Sequence, residues 1–342
     1  MKLYGVAMVR NEADIIEVFV RHNLTVLDGL SIIDHGSVDA TPSILAALAR
    51  EGLPIDITTE TSLEFRQSDV VSRAVRRVFS ATDADFVFLL DADEFLKIPS
   101  RQRLEAALAS LPRDVHAVQE WHTYVPEFSR PLDPVSLIRT ARKVALARDG
   151  PYKAVVSRHF LDSPTLIAEG NHLVQRRLGA EAYPKVRHAR LTPEESAIAH
   201  VPIRSAAQFS AKIAIGWLAC LMQPDRAPGQ SFHWRDAYAD LRAGKTPTPD
   251  TLTLLAASYG LPEGERLDPD AIRFVDEPFL ADVAIVHEGA ARADPRALVL
   301  QFAERLAQRV RDLSRANLPL GREERNKGST ARARARAHRR GA

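Results

Sequence analysis

Short apolar runs and longer amphipathic stretches alternate along the first hundred residues. The runs KLYGVAMV, LSIIDHGS, IDITTE and DFVFLL have the length and residue types of strands. The stretches between them repeat apolar residues at helical spacing, as in SDVVSRAVRRVFSAT, where Val70, Ala74 and Val78 share one face. This alternation predicts a βαβαβαβ run and therefore an α/β fold.

The helix after the second strand is marked at both ends. Thr41 is its predicted N-cap, Pro42 takes the first helical position, and Gly52 ends it. The first helix is predicted within NEADIIEVFVRHNLTVL. The run FVFLL, apolar at every position, is typical of a strand that is buried on both faces.

Beyond residue 100 the pattern becomes mixed. HAVQEWHTYV, KAVVSR and TLIAEGNHLV predict further strands, and the chain is mostly helical from about Ser205 onward. We predict three regions: an α/β domain over residues 1–204, a mainly helical region over 205–320, and a tail over 321–342.

Composition narrows the class of protein. The chain has 342 residues, of which 45% are hydrophobic, which is enough for one large domain or two smaller ones. Its single cysteine, Cys220, cannot form an internal disulfide, and no apolar run reaches the roughly 18 residues of a membrane-spanning helix. We therefore expect a cytoplasmic protein whose membrane contacts, if it makes any, are peripheral.

The C-terminal tail concentrates positive charge. From Arg325 onward the sequence carries no acidic residue but seven cationic ones: Arg325, Lys327, Arg332, Arg334, Arg336, Arg339 and Arg340. The tail has no apolar residue larger than alanine after this point, so we predict that it is disordered. Its simplest interpretation is a solvated extension; the alternative is an electrostatic arm for anionic lipid, polyphosphate or nucleic acid.

Acidic and amide side chains collect where the predicted strands end. Asn11 and Glu12 follow the first strand, Asp34 ends the second, and Asp91 and Asp93 follow the fourth. In open α/β sheets ligands bind beyond the carboxyl ends of the strands. On an extended strand end Asp91 and Asp93 would face one side, where a hard divalent cation could lie between them. The alternative for such a pair is helix or turn capping.

Three segments together resemble a known family. MVRNEADIIEVFVRH, IIDHGSVDATPSIL and DADFVFLLDADEFL are similar to the nucleotide-binding half of the family-2-type glycosyltransferases with the GT-A fold, especially the branch with K/R-N-E, D-N-G-S-x-D-x-T and D-x-D-E-F motifs. The resemblance is specific to about residue 100 and looser to about residue 215. It implies a Rossmann-like mixed sheet flanked by helices, to which the sequence pattern adds a mostly helical C-terminal part and a disordered basic tail.

The resemblance also implies roles for individual residues. Asn11, Glu12 and Asp34 match the motifs that hold the nucleotide base and ribose. Asp91 and Asp93 match the D-x-D motif, which binds Mn²⁺ or Mg²⁺ at the diphosphate of the donor. His35 departs from the family pattern, which more often has Asp or Asn there, and this leaves base or ribose recognition open.

Further candidates follow from the looser part of the match. A histidine late in the domain often supplies a third metal ligand, and we expect His172, after a glycine, with His200 as the alternative; either could instead be structural. Lys153 and Arg204, and also Lys212, are candidates for phosphate contact, although each could be a solvated surface cation.

The catalytic base and the acceptor pocket are the hardest parts of the site to predict. Glu120 lies where such families often present the base, and Asp93 is the catalytic member of the metal pair. Trp121 and Tyr124 could stack on a sugar face or belong to the core.

The expected function is metal-dependent transfer of a hexosyl group from a nucleotide sugar, most simply a UDP-sugar, to a glycan or lipid-linked acceptor in polysaccharide biosynthesis. Expected partners also include an anionic membrane surface touched by the tail, and no nucleic acid. The alternatives are a sugar-phosphate nucleotidylyltransferase, which would need a Gly-rich basic loop where this chain has VRNEAD, and a catalytically degenerate scaffold, which would not need both aspartates.

Overall fold

The structure, a computed structural model, describes residues 1–130, 133–145, 151–177, 186–223, 232–287 and 294–316. The described residues contain strands β1 to β13. In chain order these are Leu3–Val9, Gly29–Asp34, Ile55–Thr59, Phe86–Leu90, Glu94–Lys97, Val115–Val125, Arg142–Val144, Tyr152–Ser157, Thr165–Ile167, Val174–Arg176, Arg187–Arg190, Ala197–His200 and Phe274–Val275.

Helices α1 to α9 pack against the strands or follow them. Their bounds are Ile16–Asn23, Thr41–Arg50, Gln67–Ala81, Arg101–Ala109, Pro134–Arg139, Ala206–Leu221, Phe232–Arg242, Pro249–Ala257 and Pro295–Ala316. Short 3-10 turns lie at Arg158–Asp162, Glu169–Asn171 and Pro269–Ala271.

The main sheet is mixed. Strands β3, β2, β1 and β4 are neighbours in that order and parallel, as the predicted βαβ connections require. Strand β8 pairs antiparallel with β4, and the long strand β6 follows it. Strand β12 runs between β5 and β6, antiparallel to the first and parallel to the second. The predicted α/β class, a mixed sheet flanked by helices, is confirmed.

The apolar residues of β4 explain why the sheet is covered on both faces. All five residues of FVFLL are buried. Phe88 and Leu90 join the core under α1 and α2, whereas Val87 and Leu89 join the core under α3. Burying a side chain of this size stabilises the fold by about 1.5 to 3 kcal/mol. The turn that follows β4 is thereby held on a rigid support.

Several local predictions need correction. Helix α1 occupies only the middle of the stretch predicted for it and begins at Ile16, because residues 11–15 form turns that bind the neighbouring loop. Thr41 is the first residue of α2 and does not cap it; its Oγ1 accepts a hydrogen bond from Glu12 N–H. The predicted strand TLIAEGNHLV is two short strands around a 3-10 turn, because Gly170 and Asn171 both have positive φ.

The chain divides into two compact units. The first is Met1–Val299, and the second is Leu300–Ala342, of which the structure describes the end of α9. The predicted disordered tail, residues 321–342, lies outside the described residues. No helix in the part of the chain that the structure describes is long and apolar enough to cross a bilayer.

Candidate active site

A cavity of about 1270 Å³ opens at the carboxyl ends of β1 and β4. Its walls are the loop after β1, the turn after β4, strand β6 and helix α6. The predicted site residues that line it are Asn11, Glu12, Asp91, Asp93, Lys153, His172, His200 and Arg204. The chain therefore brings most of the predicted site residues to one cavity.

The turn after β4 holds its first acidic residue with a buried lysine. Lys153 Nζ lies 2.6 Å from Asp91 Oδ2 and 2.9 Å from Glu94 Oε1. Glu94 Oε2 accepts a hydrogen bond of 2.9 Å from Asp91 N–H. Burial alone would lower the pKa of Lys153, but these two carboxylates raise it above its ordinary value. Lys153 is therefore a fixed cation inside the sheet, rather than the solvated surface residue of the alternative interpretation.

Asp93 points to a different set of partners. Its Oδ2 lies 2.6 Å from Lys212 Nζ on α6, and its Oδ1 lies 3.6 Å from His200 Nε2 on β12. Burial would raise the pKa of Asp93, but Lys212 and His200 hold it well below its usual value. The sequence predicted an extended strand end here, with both aspartates on one side. Instead, a hydrogen bond from Glu94 N–H to the Asp91 carbonyl oxygen closes a turn. The two aspartates therefore pair with different lysines.

A third ion pair joins the first loop to the segment before α6. Arg204 is buried and donates hydrogen bonds to Glu12 and to both carboxylate oxygens of Asp14. Its Nη1 has no hydrogen-bond partner within the described ranges. Burial raises the pKa of Glu12 to about 7, although Arg204 and Lys212 act in the opposite direction. This pair connects residues that are nearly two hundred positions apart in the chain.

These three sets of ion pairs share no residue but interact through their charges, and we call them together the ion-pair cluster. Its members are Glu12, Asp14, Asp91, Asp93, Glu94, Lys153, Arg204 and Lys212. Carboxylates outnumber cations in it, and burial raises the pKa of Glu94 to about 8. The raised pKa values of Glu12 and Glu94 mean that these two buried carboxyl groups bind protons near neutral pH.

A divalent cation fits the donor set around Asp93. Among the described residues there is no group of three or more His, Cys, Asp or Glu side chains arranged to hold a metal by themselves. Mg²⁺, however, is usually held by one or two carboxylates together with substrate phosphates. His200 completes such a set with Asp93: burial lowers its pKa to about 4, so at pH 7 the ring is neutral, the form that binds metals.

His172 lines the cavity on another wall. Its Nδ1 is 2.8 Å from the carbonyl oxygen of Tyr152, and its ring stacks on Trp121 with centroids 6.2 Å apart. The ring lies directly against Gly170, where an added Cβ would come within 2.5 Å of Nε2. Gly170 thus permits the close approach that the sequence suggested, while the contact with Asp93 is made by His200.

The residues expected to hold the base and ribose divide into two groups. Asn11 lines the cavity with φ of 56°, and its Oδ1 accepts a hydrogen bond from Val38 N–H. Asp34 is buried and accepts a hydrogen bond from Ser37 N–H at 3.1 Å. Among the described residues that line the cavity, the neighbour His35 is present and Asp34 is not. Asp34 therefore shapes the loop beneath the cavity.

Glu120 is not brought into the cavity by the described residues. Strand β6 alternates its side chains, so Trp121 lines the cavity while Glu120 projects from the other face. The Glu120 carboxylate is paired with Arg190 and lies 3.2 Å from His122. Tyr124 is fully buried in the core, and its hydroxyl accepts a hydrogen bond from Lys97. Of the two aromatic candidates, Trp121 is the one at the site.

Three residues that contact the candidate site residues were not identified from the sequence. Gln67 and Asn171 both donate hydrogen bonds to Asp91 Oδ1, at 3.3 and 3.2 Å. Tyr259 packs 5.1 Å from His200 and 5.8 Å from Trp121 between ring centroids. Asn171 has φ of 62°. In the sequence, only its position next to the candidate His172 could have pointed to it. Gln67 and Tyr259 carry no distinguishing pattern in the sequence.

No protein-family model matches the chain, and no curated protein matches it. Among solved structures, a mannosyltransferase from Pyrobaculum calidifontis in complex with GDP-Man and Mn²⁺ is 18% identical, with 75% of this chain and 73% of that one covered and a TM-score of 0.34. Glucosyl-3-phosphoglycerate synthase from Mycobacterium tuberculosis, solved with Mn²⁺ and UDP, is 16% identical, with 66% and 81% covered and a TM-score of 0.31.

A third similar structure is S. aureus TarS, at 12% identity and a TM-score of 0.35, with 71% of this chain and 43% of that chain covered. The chain thus spans less than half of the TarS structure. Likeness at these TM-scores does not transfer a ligand or an activity to this chain.

Proposed function

We propose that the protein is a metal-dependent glycosyltransferase that moves a hexosyl group from a nucleotide sugar, most simply a UDP-sugar, to an acceptor hydroxyl. The observation that carries the proposal is the pair Asp93 and His200, buried 3.6 Å apart at the wall of the cavity beyond β4. The D-x-D-E-F motif supplies Asp93, and the N-E motif supplies Asn11 and Glu12 on the same cavity.

The cations of the cluster suit a diphosphate. Lys212 is the most exposed of the three, with 27% of its side chain accessible, whereas Lys153 and Arg204 are almost fully buried. A diphosphate entering the cavity would replace Asp93 as the partner of Lys212. Lys153 keeps Asp91 and Glu94 in place during this exchange.

Asp93 and His200 would hold the divalent cation, with Asp91 close by in the same turn. A cation bound there supplies a Lewis acid that stabilises the negative charge on the leaving diphosphate. Trp121, with its ring at the same wall, offers a flat apolar surface for a sugar ring. We assign the deprotonation of the acceptor to no residue, because Glu120 faces Arg190.

The substitution Asp93→Asn tests the proposal. It removes a charge and little volume, so the fold should persist while Mn²⁺-dependent turnover of a nucleotide sugar falls by at least a hundredfold. Thermal shifts with UDP, with and without Mn²⁺, would be measured in parallel: a ligand at about 100 times its Kd stabilises the wild-type fold by about 2.7 kcal/mol. Asp85→Asn, a carboxylate at the amino end of β4, is the matched control. Full activity of Asp93→Asn would contradict the proposal.

A further inference from the structure

The cavity changes character along helix α6. Its polar lining residues on this segment, Ser205, Gln208 and Lys212, all lie within the first two turns, next to apolar ones, and Lys212 is the last of them. Further along they are Ile215, Gly216 and Ala219, which carry no polar side-chain atom. The distance from Lys212 to Ala219 is roughly 10 Å along the helix axis. One end of the cavity is therefore the ion-pair cluster, and the other end is apolar.

The apolar end is closed by residues from three other segments. Phe65 N–H donates to the carbonyl oxygen of Ala219, and the ring of Phe65 lies 5.4 Å from that of Trp234. We call this space the apolar arm; it is lined by Phe65, Ile215, Gly216, Ala219, Trp234, Ala237, Leu241 and Leu255. The charged residues of α7 that reach the cavity, Asp236 and Asp240, are exposed and lie at its rim.

Gly216 shows that the arm is closely built. An added Cβ at this position would come within 2.8 Å of the indole ring of Trp234, so the glycine allows α6 and the Trp234 side chain to approach each other. The result is a wall of aromatic and aliphatic surface that begins one turn beyond the contact between Lys212 and Asp93. A free sugar would find few hydrogen-bond partners there, whereas a hydrocarbon chain is favoured by about 25 cal/mol for each Å² buried.

We propose that the apolar arm binds the hydrocarbon chain of the acceptor, so that the acceptor is a lipid whose polar head carries the accepting hydroxyl. The head would lie at Trp121, beside the diphosphate held by Lys212, and the chain would run along the second half of α6. This inference rests on the proposed transferase function, since it takes the transfer site to be at Asp93. It commits to a chain-bearing acceptor and excludes a soluble glycan as the preferred substrate.

Binding of n-alkyl β-D-glucosides from butyl to octyl, below their micellar concentrations, tests the inference on the full-length protein. Each added methylene that enters the arm should lower Kd about fourfold, measured by isothermal titration. The decrease should stop once the chain exceeds the length of the arm. A Kd that is independent of chain length would overturn the inference.

Two substitutions on α7 localise the effect. Ala237 lines the arm, while Ala239 on the same helix is exposed. Ala237→Phe should weaken octyl glucoside at least tenfold and leave butyl glucoside and UDP binding unchanged, whereas Ala239→Phe should change none of these. Equal effects of the two variants would place the chain elsewhere. If Ala237→Phe does not fold, the chain-length series on the wild-type protein still tests whether a hydrocarbon chain binds.

A separate measurement distinguishes failure of this inference from failure of the proposed function. If UDP and Mn²⁺ raise the melting temperature but the Kd of the alkyl glucosides does not depend on chain length, the lipid acceptor is overturned and the transferase proposal stays intact. Chain-length-dependent binding without any response to nucleotides, with or without Mn²⁺, would overturn the acceptor role itself.

Discussion

His200 and His172 have different surroundings although both line one cavity. His200 is buried, lies 3.6 Å from Asp93, and its Nδ1 has no hydrogen-bond partner among the described residues. His172 is held by the Tyr152 carbonyl and by Gly170. A ring nitrogen beside a carboxylate is what a divalent cation requires, so the surroundings favour His200 as the ligand.

His200→Ala should therefore weaken Mn²⁺ binding by about 10- to 100-fold. His172→Ala is the matched variant and should change the Kd of Mn²⁺ by less than threefold, because its ring faces Gly170. Both constants can be measured by electron paramagnetic resonance of free Mn²⁺ in the presence of UDP. The opposite order of effects would restore the assignment that the sequence favoured.

Two other histidines are buried away from the cavity and couple stability to pH. Burial lowers the pKa of His116 to about 3 and that of His22 to about 4. Both therefore stay neutral in the folded protein where the unfolded chain, with a pKa near 6.5, already binds protons. At these two positions the unfolded state then binds more protons than the folded one, so their contribution to stability falls as the pH decreases below about 6.5.

Each of these histidines should cost up to about 2 kcal/mol of unfolding free energy between pH 7 and pH 5. Urea unfolding at the two pH values measures the loss. His116→Asn should reduce the difference between the two pH values by up to about 2 kcal/mol, even if it destabilises the protein at both. A pH dependence unchanged in this variant would contradict the assignment.

Residue identity alone predicted part of this site. The D-x-D turn, Asn11 and Glu12 could be identified because they directly follow predicted strands, whereas the basic candidates were identified only by their place in segments that resemble the family. The partners of each side chain were not visible, since Lys153 meets Asp91 across 62 positions and Arg204 meets Glu12 across 192. Glu120 illustrates the limit: only the register of β6 decides which of its neighbours faces the cavity.

At the scale of elements, α3 supports the wall that carries Glu169 to His172. The Arg76 guanidinium donates hydrogen bonds to four backbone carbonyls, those of Phe160, Leu161, Ser163 and Thr165. It also lies 4.3 Å above the Phe160 ring. One side chain thus fixes a segment of irregular backbone that regular strand pairing does not hold.

Arg76→Ala should lower the free energy of unfolding by about 2 to 4 kcal/mol, because several buried carbonyls lose their donor at once. Arg73→Ala, on the same helix, is the control: it removes an exposed pair with Glu60 and should cost less than about 1 kcal/mol. Chemical denaturation of both variants measures the difference. Equal losses of unfolding free energy in the two variants would mean that the carbonyl oxygens accept hydrogen bonds from other donors when Arg76 is removed.

The elements themselves were predictable to different degrees. β1, β4 and α3 agree with the predicted segments to within a few residues, because a strongly periodic or fully apolar run admits one interpretation. The segment around Gly170 was not predictable as a turn, since its backbone shape depends on hydrogen bonds to Gln67 and Arg76, on a helix about a hundred residues earlier.

For the whole molecule, charge is distributed unevenly between the body and the tail. The sequence has a formal net charge of +2, and the seven cations from Arg325 onward account for more than this excess. The body is therefore acidic on balance. Attraction to an anionic surface would come from the tail and would be screened beyond a Debye length of about 10 Å at 0.1 M salt.

Deletion of residues 325–342 should leave the melting temperature unchanged, because this segment has no large apolar residue with which to join a core. Binding to liposomes that contain anionic lipid should fall at least tenfold at low salt and become equal to that of the full chain at high salt. Co-sedimentation measures both. Equal binding at low salt, or loss of the fold, would contradict the prediction.

The position of strand β12 in the sheet determines how long two strand edges stay unpaired while the chain is being synthesised. It fills the gap between β5 and β6, and its register sets His200 opposite Glu94 and Thr123. About a hundred residues separate β5 from β12, so at 5 to 20 residues per second a ribosome completes β12 roughly 5 to 20 s after β5. During that interval the edges of β5 and β6 lack this partner, and unpaired edges invite association between chains. Synthesis of this protein should therefore depend on a chaperone more strongly before residue 200 than after it.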